Sequence, residues 1–251
     1  MRYAHTSDIR SQLIASDKEY SPSTINSILS VLRGVLKQAW LLEQMTAEDY
    51  HRAIVIENLK DKKGEVRGRK IAFAEIQAVA DVCFRDKTDA GARDSAIIGL
   101  IATCGLRRSE VVQLTLTDID IETGKVTVRS TTTKSNTERI VWLRGGALLA
   151  MEDWLFVRNP LEVNIVFVPI NRGGNQQDRP LTDQAIYEIV KKRGKEAAVE
   201  NFTPHDFRRT MITNMLETQV DVFLVQELAG HVDTNTTKRY DMRDENIKSR
   251  Y

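Results

Sequence analysis

The stretch TPHDFRRTMITNML, Thr203 to Leu216, gathers its polar residues at one end and its apolar ones at the other. Thr203 can cap a helix and Pro204 suits its first position. The helix would open with His205, Asp206, Arg208 and Arg209, then bury Met211, Ile212, Met215 and Leu216. Helix N-termini carry positive partial charge and unpaired N–H groups, so that first turn suits an anion. His205 and Arg208 stand one turn apart. An ordinary surface helix can show the same spacing, so the rest of the chain must decide.

The chain has 251 residues, enough for one large domain or two unequal ones. Hydrophobic residues make up 41%, which excludes wholesale disorder. No apolar run approaches the roughly 18 residues of a membrane span. The opening MRYAHTSDIRSQL has neither the apolar stretch nor the cleavage site of a signal peptide. Cys83 and Cys104 stand in no metal-ligand spacing. The expectation is a reduced cytoplasmic protein with no membrane partner. The net charge of +1 is low for a nucleic-acid binder, so distribution matters more than the sum. KDKKGEVRGRK, Lys60 to Lys70, holds six basic residues against two acidic. It reads either as a solvated linker or as a strap that contacts phosphates through Lys60, Lys62, Lys63, Arg67, Arg69 and Lys70.

Upstream of that run the pattern is helical. Ser21 can cap and Pro22 can begin a helix reaching Gln44. Ile25, Ile28, Leu29, Leu32, Leu36 and Ala39 mark one face of it. Tyr3 to Ser16 and Thr46 to Ile56 read as two more helices. This small unit, 1–59, is followed by the basic linker 60–70 and a larger domain, 71–251. The larger domain begins with helices over Phe73–Phe84, Ala92–Ala102 and Ser109–Leu114. Three β-branched, alternating segments follow, Ile119–Ile121, Lys125–Ser130 and Arg139–Leu143. Thr123-Gly124 makes the first turn, and Lys134-Ser135-Asn136 falls in the second loop. Helices resume over Ala147–Val157, Thr182–Ala198, Pro204–Thr218 and Val220–Ala229, with short ones at Thr234–Tyr240 and Glu245–Ser249. Asn171–Pro180 is a polar loop. The fold class is mainly α with a small antiparallel sheet, α+β.

Five separated stretches share one explanation: TCGLRRSEVVQL (Thr103–Leu114), TTKSNTERIV (Thr132–Val141), HDFRR (His205–Arg209), LAGH (Leu228–His231) and TTKRY (Thr236–Tyr240). Their order resembles that of the tyrosine recombinases, or phage-type integrases. Arginine follows Gly-Leu, lysine sits in a hairpin, His-x-x-Arg comes next, then Gly-His, then tyrosine. The resemblance covers about Ile71 to Tyr240. It implies that Arg107, Lys134, His205, Arg208, His231 and Tyr240 are catalytic and that Glu110 supports Arg107. It also implies a catalytic domain and a short helical domain clamped around duplex DNA at a specific site. The implied reaction cuts a strand through a covalent 3′-phosphotyrosine, which a 5′-hydroxyl then attacks. A homotetramer on two synapsed sites, monomeric in solution, goes with it, and accessory DNA-bending proteins are compatible.

The residue types suit that chemistry. Two arginines can clamp a phosphodiester's negative oxygens and stay charged at any working pH. A phenol ordinarily titrates near 10, so Tyr240 needs help losing its proton, and His205 is the candidate base or hydrogen-bond partner. Lys134 is suited to protonating the departing 5′-oxygen, and His231 to donating to a phosphate oxygen. The phosphotyrosine conserves bond energy, so no cofactor is expected, and no acidic cluster has metal-ligand spacing.

Each residue also has a plainer reading. Arg107 could cap a helix, Lys134 could be an exposed turn lysine, and Gly230-His231 could simply end one. Two other functions use the same residues: a type IB topoisomerase, and a DNA-binding protein without catalysis. Arg209 stands where many relatives have histidine, so a supporting or DNA contact is expected there. The N-terminal helical unit is short for the family's core-binding domain, as if begun partway through. Tyr251 has no matching neighbours.

Overall fold

The computed structural model describes residues 3–60, 68–129, 138–158 and 160–230. Outside them lie Lys62, Lys63, Arg67, Lys134, His231 and Tyr240, the hairpin loop and the two short C-terminal helices expected above. The chain divides into two compact units, Met1–Val66 and Arg67–Tyr251.

The first unit holds α1 (Tyr3–Ile14), α2 (Pro22–Leu41) and α3 (Ala47–Ile54). Ser21 caps α2, its Oγ accepting from the Thr24 N–H at 3.2 Å. Thr46 caps α3 in the same way. Ile25, Leu29 and Ile56 form one small core, and Leu36, Tyr50 and Ala53 another. Trp40 stacks on Tyr50 with ring centroids 4.9 Å apart. The expected apolar face of α2 is only partly buried, since Ile28 remains 36% exposed. Two shorter helices, α1 and α3, cannot cover the full apolar arc of the 20-residue α2.

The second unit is mostly helical, with a small three-stranded antiparallel sheet. Its elements are α4 (Phe73–Arg85), α5 (Asp89–Gly99), α6 (Arg108–Val111), β1 (Ile119–Asp120), β2 (Lys125–Arg129), β3 (Glu138–Trp142), α7 (Gly146–Val157), α8 (Asp183–Glu196), α9 (Pro204–Glu217) and α10 (Val222–Ala229). The helix expected over Ala92–Ala102 instead changes at Leu100 into a π-helical turn, Leu100–Cys104. The strands run in the order β1-β2-β3, with Val126 opposite Val141 and Val128 opposite Arg139. Val126, Val128 and Val141 point into the core, so alternation along β3 also turns Arg139 inward.

The core joins Ile97, Leu100 and Ile101 to Trp154, Phe167, Phe202 and Phe207. Burying each such side chain contributes about 1.5–3 kcal/mol. Trp154 satisfies its indole N–H on the Val166 carbonyl at 3.0 Å. α8 is held by a buried cation: Arg193 donates to Asp94, Asp86 and Glu196 at 2.8, 2.7 and 2.9 Å. Losing one partner of a buried ion pair typically costs about 3–5 kcal/mol, so this network fixes α8 against α5.

Candidate active site

The π-helical turn ends at Gly105, whose φ of 64° is left-handed. A Cβ there would also lie 2.1 Å from the Met211 Cε on α9. Glycine therefore both permits the turn and lets the chain pass closely over α9. Leu106 then enters the core and Arg107 sits at the N-cap of α6. The Arg107 N–H donates to Glu110 Oε2 at 2.7 Å, and its Nη1 to Oε1 at 2.9 Å. Its Nη2 donates to the Gly230 carbonyl at 2.9 Å. The side chain is still 42% exposed.

Glu110 is buried and faces a second arginine. Arg139, from the inward side of β3, donates Nη1 to Oε1 at 2.9 Å and Nη2 to Oε2 at 2.8 Å. Burial alone would raise the Glu110 carboxyl's pKa. The Arg139 fork and the nearby Arg107 outweigh that and hold it below the ordinary glutamate range. The Arg139 Nε continues to the Leu228 carbonyl at 2.8 Å.

At the N-terminus of α9, Thr203 holds the N-cap position, and Asp206 reaches back to it. The Asp206 carboxylate accepts from the Thr203 N–H and Oγ, each at 2.8 Å, and from the Arg69 N–H at 3.0 Å. Met211, Ile212 and Leu216 are buried as the sequence predicts. The polar first turn is not an exposed face, however, because Arg208 is 1% exposed and Arg209 6%. Arg208 donates Nη1 to the Gly105 carbonyl at 2.5 Å and Nη2 to the Ala229 carbonyl. His205 stays exposed. Partial loss of water around its ring, with the Arg208 and Arg209 guanidiniums close by, lowers its pKa.

Three successive carbonyls at the end of α10 thus accept from three arginines: Leu228 from Arg139, Ala229 from Arg208, Gly230 from Arg107. Those carbonyls form the negative end of the helix dipole, which favours cations. Gly230 has a φ of 61°, and a Cβ there would meet Arg139 Nη1 at 2.8 Å. A cleft of about 330 Å³ opens beside this cluster, lined by Arg107, Arg108, Ser109, Pro204, His205 and Arg208. The guanidiniums of Arg107, Arg108 and Arg208 and the His205 imidazole, with its lowered pKa, can bind an anion there and take up a proton from it or its partner.

The structure therefore brings Arg107, Glu110, His205 and Arg208 together. Lys134 falls between β2 and β3 in sequence, and His231 directly after Gly230; both, with Tyr240, lie outside the described residues. Arg139 belongs to the cluster although the motif reading did not single it out. Its signal was present, an arginine in phase with the inward Val141 and Leu143.

The basic run divides differently. Lys60 is exposed in the first unit. Arg69 is occupied within the protein, forked onto Glu75 at 2.7 and 2.8 Å and bonded to the carbonyls of Glu200 and Asn201. Lys70 pairs with Glu217 at 2.5 Å. Both are thus paired with carboxylates of the same unit. Arg209 is buried near Gly68. No described helix is long and apolar enough to cross a membrane.

The family model described as the phage integrase family matches residues 69–246. The chain is 32% identical over 234 residues to the tyrosine recombinase XerC of Natranaerobius thermophilus, covering 89% of this chain and 73% of that one. It is 29% identical over 224 residues to the tyrosine recombinase XerA of Pyrococcus furiosus, covering 89% and 71%. The fold is similar to the XerH site-specific recombinase bound to palindromic difH substrate in a post-cleavage complex. There the TM-score is 0.76 at 20% identity, covering 100% of this chain and 71% of the other. A lambda integrase dimer bound to a core site also matches, with a TM-score of 0.64 at 13% identity, covering 94% and 81%.

Proposed function

The chain belongs to the phage integrase family, and from that premise we propose that it performs site-specific DNA recombination through a covalent phosphotyrosine on Tyr240. The observation that carries the reading is the convergence of Arg107, Arg208 and His205 on one cleft from separate parts of the chain. Duplex DNA is the substrate. Arg107 and Arg208 bind the non-bridging oxygens of the scissile phosphate, with His231 as a further donor. Negative charge grows on those oxygens in the transition state, where each such preorganised donor is worth roughly 10²–10³ in rate.

The Tyr240 oxygen attacks phosphorus as its proton passes to His205. The bond from phosphorus to the 5′-oxygen breaks, and Lys134 supplies the proton that the leaving oxygen needs. One ester replaces another, so the 5′-hydroxyl of a second strand can reverse the step and release Tyr240. The lowered pKa of His205 keeps its ring neutral and able to accept the proton near neutral pH. Exchange between two duplexes requires four active sites, so the working assembly is a homotetramer on synapsed DNA.

The test is covalent trapping on a nicked suicide oligonucleotide carrying the cognate site. The unmodified protein should form a stable protein–DNA adduct. Tyr240→Phe should bind the same DNA and form none; adduct at undiminished yield in that variant rejects the assignment.

A further inference from the structure

We propose that Arg139 is a positioning residue that neutralises Glu110 and so leaves the positive charge of Arg107 available to the phosphate; this rests on the cleavage chemistry proposed above. Arg107, Glu110 and Arg139 carry one negative and two positive charges within hydrogen-bond distance. Glu110 is buried, so its charge must be met locally rather than by water. With Arg139 present, both carboxylate oxygens receive a full fork and the cluster keeps one net positive charge. Without it, Arg107 would be the cation left on Glu110, and their sum would be zero.

The geometry points the same way. Arg139 approaches Glu110 with both Nη atoms, while Arg107 uses only Nη1 and its main-chain N–H. The Arg107 Nη2 is thereby left to bridge to Gly230. Arg139 is itself held at its other edge by the Leu228 carbonyl. One side chain thus connects strand β3, the Arg107 turn and the end of α10. It lies beneath the cleft rather than in its lining, with its side chain only 8% exposed. It acts through Glu110 and does not touch the substrate.

The experiment measures DNA affinity and single-turnover adduct formation separately, with thermal melting as a check of folding. Arg139→Gln should slow adduct formation about 10- to 100-fold, the range typical when a group that orients a functional ligand is lost. DNA affinity should fall far less. Glu110→Gln/Arg139→Gln removes both charges and should cleave faster than Arg139→Gln alone, because the uncompensated carboxylate is then absent. Arg139→Lys keeps the charge without the fork and should fall between Arg139→Gln and wild type. Wild-type rates in Arg139→Gln, or a double variant no faster than the single one, overturn the proposal. Hydrogen exchange separates the two readings. Arg139→Gln should speed exchange of the amides at the end of α10, whether or not the wild-type protein cleaves. A wild-type protein that forms no adduct, with that change in exchange present, overturns only the cleavage chemistry. Unchanged exchange overturns the positioning role of Arg139.

Discussion

Arg208 donates to the carbonyl of Gly105, a residue 103 positions away in the chain and two before Arg107. Arg107 and Arg208 are therefore fixed to each other through one main-chain turn. Arg208 also holds Ala229, so its planar guanidinium spans two carbonyls that face it from different elements. A single ammonium cannot span both. Arg208→Lys should slow adduct formation about 10²–10³-fold while DNA affinity stays close to wild type. Rapid-quench kinetics beside a gel-shift titration would check this; equal losses in both would contradict it.

Gly230 carries a left-handed φ and faces the Arg139 guanidinium. Gly230→Ala should cost about 1–2 kcal/mol from backbone strain alone. Urea unfolding should show a lower midpoint with an unchanged slope. Because the added Cβ pushes on Arg139, adduct formation should slow as well.

His205 titrates below the ordinary histidine value of about 6.5. In the window between its folded pKa and that value, the unfolded chain binds the proton and the folded one does not. This group's contribution therefore makes stability rise with pH through the window and reach its full value above about 6.5. It is lost as pH falls toward the folded pKa. An NMR titration of the ring in the free protein should give a midpoint below the reference, and His205→Asn should remove that part of the pH dependence. A midpoint above the reference would contradict the neutral-base role.

Arg69 is engaged by Glu75 and two carbonyls. Arg69→Gln should destabilise the protein by about 1 kcal/mol, allowing for its partial exposure. The slope of log affinity against log salt should stay the same. If Arg69 were a phosphate contact, that slope would fall by about 0.9. Fluorescence anisotropy across a salt series distinguishes these outcomes.

Most helices were legible because caps and periodicity are local signals: Ser21, Pro22, Thr46 and Pro204 each stand where the helix begins. The π-helical turn was not, because Leu100–Cys104 continues the apolar pattern of α5. In the cluster, Arg107, Glu110 and Arg208 were legible from the motif order. Arg139 was hidden because strand alternation was read for fold, not for a cation buried beneath a carboxylate. The partners of Arg69 were not legible from composition, because Glu200 and Asn201 become its neighbours only after folding.

The latch at the end of α10 is made of main-chain acceptors only. Amino-acid identity at 228 and 229 is therefore not what the three guanidiniums recognise. A saturation-mutagenesis map would score the donors as indispensable and register Leu228 and Ala229 only through side-chain size. Half of this connection is thus invisible to genetics, and would emerge only by replacing the peptide groups themselves, for example with backbone esters.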